Sequence, residues 1–175
     1  MQQLRRRRPF ARADRLSLRR IEIAIRFAVP AESGEIAELI RVAFGEYRGR
    51  LKPESGALSE TAETILAAFV DHSVIVAEAR RRLVGCVLAI RQGEALYLGR
   101  FAVHPDFRRH GIASHLLAEA ERHARASGAT MLTLGVRIAL PGNFRYFANR
   151  GFREIDREAH PGFDHPTSIK MEMGL

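Results

Sequence analysis

Three apolar runs, SVIVAEA, RLVGCVLAI and ALYLGRFAV, lie end to end between Ser73 and Val103, with only the turns at Arg80–Arg82 and Gln92–Gly93 between them. Connections that short join antiparallel neighbours, because a parallel return needs a crossover of roughly a dozen residues or more. A three-strand meander is therefore predicted, and the remaining elements must pack on it.

Upstream, the isoleucine-rich IEIAIRFAV predicts a strand at about 22–28. Ser33 is the expected cap of a helix whose apolar stripe is Ile36, Leu39, Ile40, Ala43 and Phe44. Ser59, with Glu60 in the first turn, is expected to open a second helix that buries Ile65, Leu66 and Phe69. Downstream, Gly111 to Ala126 has the strongest helical pattern, with Ile112, Leu116, Leu117, Ala120 and Ala124 on one side and Gly128 placed to end it. MLTLGV then reads as a buried strand, NFRYFANR as a short helix, GFREIDREA as a strand, and TSIKMEMGL as a strand alternating Ile169, Met171 and Met173. The predicted order is β-α-α-β-β-β-α-β-α-β-β, one α/β (α+β) domain over residues 21–175.

The net charge of +8 would suit a nucleic-acid partner if it covered the folded surface. Instead residues 1–20 hold eight arginines and one aspartate, which leaves the rest nearly neutral. That segment reads as a disordered basic arm, a targeting peptide, a nucleic-acid patch or upstream sequence; it lacks the apolar centre of a secretory signal. No apolar run approaches the roughly 20 residues that span a bilayer. The single cysteine, Cys86 in VGCVLAI, is expected in the core and suits a reducing cytoplasm. Many arginines and alanines beside only two lysines suggest a GC-rich bacterial genome.

FRRHGIASHLL, residues 107–117, sets two arginines and a histidine against a glycine where the long helix begins. A helix start leaves about four N–H groups unpaired and carries roughly half a positive charge. Gly111 permits close approach, Ala113 is small, and Arg108 and Arg109 add charge, a combination suited to phosphate or pyrophosphate. The spacing excludes the phosphate-loop and dinucleotide glycine motifs.

Strand FAVHP followed by R-R-H-G-I-A at 108–113 resembles the Q/R-x-x-G-x-G/A signature of the GNAT N-acetyltransferase superfamily, and LPGNFRYFANRGF at 140–152 resembles that family's asparagine-then-aromatic helix ending in Gly-Phe. The likeness covers about residues 21–175. It implies a GNAT-like fold, a central, mostly antiparallel sheet flanked by helices, and transfer of an acetyl group from acetyl-CoA to a primary amine, without a metal. By position, backbone groups of Phe101 and Val103 would bind the pantetheine arm. The loop and first helical turn, Arg109, His110, Gly111, Ile112, Ala113 and Ser114, would hold the pyrophosphate, with Arg108 adding charge. Asn143 would contact the pantetheine or the acceptor side, within the catalytic set with Phe101 and Tyr97; Phe147 would line the cofactor, and the N–H near Phe101 would polarise the acetyl oxygen.

Two departures stand out. The family's general-acid tyrosine, four residues before the Gly-Phe glycine, is here Phe147, and the adjacent Tyr146 would point about 100° away. A glutamate often found on the fourth strand is here Gly99, which leaves Tyr97 as the nearest polar substitute. His104 is expected to shape the turn before the anion loop, and His115 and His123 to lie on the surface. His160 and His165 lack further ligands for a metal. The acceptor site implied by the likeness is walled by Tyr47, Pro53, Glu54 and Ser55 and by His160 and Phe163, a mix that leaves a small amine, an amino acid and a peptide N-terminus open. A coenzyme A sensor without catalysis is the alternative; a nucleic-acid protein using residues 1–20 is a further one. The protein is expected to be a cytoplasmic monomer or homodimer.

Overall fold

A computed structural model describes residues 22–175, so the basic arm at 1–20 lies outside the described residues. Seven strands and four α-helices follow in the predicted order: β1 (Ala24–Phe27), α1 (Ser33–Phe44), α2 (Ala62–Ala68), β2 (His72–Ala79), β3 (Arg82–Gln92), β4 (Ala95–Val103), α3 (Ile112–Ala126), β5 (Met131–Arg137), α4 (Pro141–Ala148), β6 (Arg153–Glu158) and β7 (Ser168–Gly174). They form one sheet in the order β1-β2-β3-β4-β5-β7-β6. All neighbours are antiparallel except β4 and β5. No helix among the described residues is long and apolar enough to cross a membrane.

The meander is buried on both faces, which is why its runs are nearly continuous in hydrophobicity. Val74, Val76, Cys86, Leu88 and Ala102 meet the α1 stripe of Ile36, Ala37, Leu39, Ile40 and Ala43. Ile75, Ala77, Val84, Val87, Ala89, Leu96 and Leu98 meet the α3 stripe of Ile112, Leu116, Leu117, Ala120 and Ala124. Cys86 is fully enclosed, and burial pushes its thiol up to about 12.

Local chemistry shifts two helix starts. Pro30–Glu32 forms a 3-10 turn, so Glu32 takes the cap position that Ser33 was expected to fill, and its carboxylate accepts the Val29 N–H at 2.8 Å. The second helix begins not at Ser59, which closes another 3-10 turn, but after Thr61, whose hydroxyl accepts from the Thr64 N–H while that of Thr64 accepts from Thr61. With the start displaced, Ile65 is buried, but Leu66 is 51% exposed and Phe69 only half-buried, contrary to the sequence expectation. His123, expected on the surface, is half-buried there, edge-on to Phe27 at 5.0 Å. His104 does shape its turn, accepting the Asp106 N–H at 3.3 Å.

Two irregularities position the site. β4 pairs with β5 only from Ala95 to Tyr97, opposite Met131 to Thr133, and beyond that the two strands part. On its other side β4 carries an extra residue, since Leu88 pairs with Gly99 but Cys86 with Ala102, and Arg100 within this bulge has φ +49°. Gly85 then sets how closely α3 lies on the sheet: a Cβ there would meet Ile112 Cγ2 at 2.8 Å, Leu116 Cδ1 at 3.0 Å and the Ala102 carbonyl at 3.2 Å. Gly85→Ala is expected to destabilise the domain by about 1 to 3 kcal/mol. Denaturant unfolding measures this, and an unchanged midpoint would show that α3 is free to shift.

Candidate functional site

The parting of β4 and β5 opens a cavity of about 970 Å³. It reaches from the start of α3, along Leu98 to Val103 of β4, to the exposed polar face carried by β5, β6 and β7. Its two ends differ chemically.

At the α3 end, Gly111 is the N-cap with φ +80°, and no side chain caps the helix. His115 N–H, bonded to the Gly111 carbonyl at 3.1 Å, begins the backbone ladder, which leaves the Ile112, Ala113 and Ser114 amides for a ligand. Arg109 is also left-handed, at φ +62°. Successive amides in this alternation curl into an anion-binding concavity. Arg108, Arg109, Gly111, Ile112, Ala113 and Ser114 all line the cavity, but His110 does not: its Nδ1 turns back to the Arg108 carbonyl at 2.9 Å.

Arg108 is committed to other partners. Its guanidinium meets Glu46 at 2.6 Å and donates to the Ala43 carbonyl at 3.1 Å, tying the end of α1 to the end of β4. That pairing holds the Glu46 carboxyl below its usual range. Arg150, which the sequence reading missed, stands at this end instead: it donates to Ser114 Oγ and to the Tyr146 carbonyl, each at 3.0 Å, and its Cζ lies 3.6 Å from the centre of the Tyr146 ring. The available signal was its place in the Asn-Arg-Gly-Phe turn, four residues after Tyr146.

The middle is apolar. Phe147 is buried edge-on against Phe101 at 5.6 Å, Phe152 at 5.5 Å and Tyr146 at 5.1 Å. Phe101, Val103 and Phe147 all line the cavity, and so does Tyr146 despite its different helical angle. The Tyr146 hydroxyl is enclosed without a hydrogen-bond partner among the described residues.

At the far end Tyr47, Glu54, Ser55, Tyr97, Asn143 and His160 line the wall. Pro53 and Phe163 do not: the Pro53 carbonyl is held by Arg137 at 2.8 Å, and Phe163 packs edge-on against His165 at 5.8 Å. Burial raises the Tyr97 phenol above its ordinary pKa, and burial followed by the Glu46 charge does the same at Tyr47, beside which Asn143 sits. Burial, then the charge of Arg137, holds His160 below the usual imidazole range, so its ring stays neutral at neutral pH. Arg137, Glu158 and Lys170 complete this end, and none of the three was singled out from sequence. They lie on three strands whose juxtaposition no local pattern reveals. Among the described residues no three His, Cys, Asp or Glu side chains gather to hold a metal ion.

Residues 35–152 match the family model described as the acetyltransferase (GNAT) family. Among solved structures, the fold is similar to PaiA N-acetyltransferase from Thermoplasma acidophilum in complex with coenzyme A, at 21% identity and a TM-score of 0.76, covering 89% of this chain and 100% of that one. It is also similar to the ribosomal-protein-S18-alanine N-acetyltransferase from Escherichia coli, at 16% identity and a TM-score of 0.70, covering 87% and 94% of the two chains. For the IAA acetyltransferase from Bacillus cereus the values are 16% identity and a TM-score of 0.65, covering 88% and 100%. No curated protein matches the chain.

Gly111→Glu is expected to abolish coenzyme A binding in calorimetry, because a carboxylate would occupy a place suited to one anion. Gly111→Ala is the control for the left-handed φ, a strain of about 1 to 2 kcal/mol. Unchanged affinity in the glutamate variant would remove the anion-site assignment.

Proposed function

The chain belongs to the acetyltransferase (GNAT) family, and from that premise we propose that it moves an acetyl group from acetyl-CoA directly to a primary amine. The observation that carries this reading is the continuity of one cavity from an uncapped helix start to a polar face, through a gap between two strands. The amides from Arg109 to Ser114 donate to the pyrophosphate oxygens, with Arg109 and Arg150 as its cations. His110 contributes through its backbone, and Arg108 acts by fixing the loop. The unpaired edge of β4 at Phe101 and Val103 offers hydrogen bonds to the pantetheine arm, in the manner of an added strand. Asn143 lies between that arm and the acceptor.

Bound acetyl-CoA supplies the thioester carbon that the neutral amine attacks, so that a C–N bond forms, the C–S bond breaks and the nitrogen's proton ends on the departing thiolate or on water. The protein's contribution is placement and polarisation. An N–H at the Arg100 bulge, near Phe101, faces the developing oxyanion, the kind of contact worth roughly 10² to 10³ in rate. Tyr97, held as a phenol by burial, lines the cavity with a hydroxyl available to the acceptor and is a poor base. Phe147 cannot supply a proton. The polar far end, with Tyr97, Glu158 and Arg137, favours an enzyme over a coenzyme A sensor, which would need no such face. Thiol release from acetyl-CoA with a mixed amine pool tests the transfer. Binding of the coenzyme with no thiol release from any amine would leave the sensor.

Tyr146→Phe is expected to lower kcat less than about tenfold, where loss of a true general acid costs about 10² to 10⁴. Removing an enclosed, unpartnered hydroxyl should also leave the melting temperature unchanged or slightly raised. A loss above about a hundredfold in kcat with coenzyme affinity preserved would place that hydroxyl at the sulfur.

A further inference from the structure

The cations around the cavity divide into three groups. Arg100 is neutralised by Glu60 and Arg108 by Glu46. Arg109 and Arg150 stand at the α3 end, where the coenzyme's phosphates are placed. Arg137 and the exposed Lys170 are at the opposite end, and neither has a carboxylate within ion-pairing distance among the described residues. Of the two, Arg137 is the half-buried one.

Its setting is built. Nη2 donates to the carbonyls of Lys52 and Pro53 at 2.7 and 2.8 Å, which fixes the plane of the guanidinium. Nε is enclosed with no partner, and Nη1 has no hydrogen bond to any described residue. A half-buried arginine with unused donors and no counter-ion is costly unless a ligand supplies the anion. Around it, the titratable groups of the same wall are Glu54 from the α1–α2 segment, Tyr97 from β4, Glu158 from β6, Lys170 from β7 and His160. Glu54 is turned toward the Gly49 N–H at 2.5 Å. Glu158 has no cation within ion-pairing distance among the described residues. Arg137 and Glu158 both pair across β7 with Ser168, one from each side. They therefore stand two strand spacings apart, about 10 Å between backbones, in one row on one face. A carboxylate and an amine are the chemical complements of two such side chains.

We infer that the acceptor is an α-amino acid, whose carboxylate binds Arg137 and whose amine lies on the Glu158 side of the cavity. The assignment rests on the acetyl-transfer reading and narrows it, since amines without a neighbouring carboxylate, polyamines and internal peptide N-termini among them, leave Arg137 unanswered. Arg137 is a specificity-determining residue here, and a fork of donors matched to a carboxylate is what its planar group provides.

The experiment compares free α-amino acids with the carboxamide and the decarboxylated amine of the same side chain, over a panel of side chains. Thiol release is followed for the wild type and for Arg137→Gln, with acetyl-CoA affinity measured for both. The acids are expected to exceed their amides at least tenfold in kcat/KM. Arg137→Gln should lower kcat/KM for the acids by ten- to a hundredfold, mainly through KM, and bring the acid-to-amide ratio close to one, with acetyl-CoA affinity retained. Because Arg137 also holds the Lys52–Pro53 carbonyls, the ratio of acid to amide within each protein separates recognition from folding. Equal loss for acids and amides, amides used as well as acids, or amides and amines turned over but no acid would each overturn the carboxylate assignment alone. Acetyl-CoA bound with no thiol release from any acceptor would leave the sensor and remove both readings. Failure to bind acetyl-CoA would overturn the transfer reading, and this one with it.

Discussion

Beyond Tyr97 one edge of β4 has no strand beside it, and a row of backbone N–H and C=O groups without partners is expensive to enclose. The surrounding structure keeps that edge open to the cavity. Phe147, wedged against Phe101 and Phe152, occupies the space on the α3 and α4 side that would otherwise let the strands close. The left-handed Arg100 shifts the register, so the same stretch can still bond to β3 while presenting different groups to the gap. Such a conformation costs a non-glycine residue on the order of 1 to 3 kcal/mol and persists only where the neighbours enforce it.

Seen from this edge, the sheet presents two chemically different faces to one cavity. The α3 face meets the gap with uncapped amides and unneutralised arginines. The other face meets it with a polar floor over β5, β7 and β6, which α1 and α2 leave uncovered because they pack on β2 to β4. In the proposed transfer a departing group and an attacking group would approach one carbon from different directions without crossing, and proximity of that kind is worth more than any single side chain.

Much of this was legible in the sequence because it is local. The element order follows from apolar periodicity, and the anion loop from a contiguous stretch in which glycine, arginines and a helix start coincide. The helix starts at Glu32 and Thr61 were missed by one and two residues because 3-10 turns intervene, and a serine that looks like a cap can close such a turn instead. Arg150, Arg137 and Glu158 were illegible for another reason. Each reads as an ordinary surface charge, and its meaning comes from what is absent around it once distant strands assemble. The partners that Arg108 found in Glu46 and Ala43, more than sixty residues away, are the same lesson reversed.

Cys86 gives the molecule an internal clock. The only sulfhydryl in the chain is sealed between the sheet and α1 and kept protonated by its surroundings. Thiolate is the reactive form, so the folded protein presents nothing to an alkylating or disulfide reagent. Modification must wait for the sheet and α1 to separate. Its rate in the native protein thus reports the free energy of that opening, and any shift in the rate when a cofactor is added measures how far the ligand holds the two layers together.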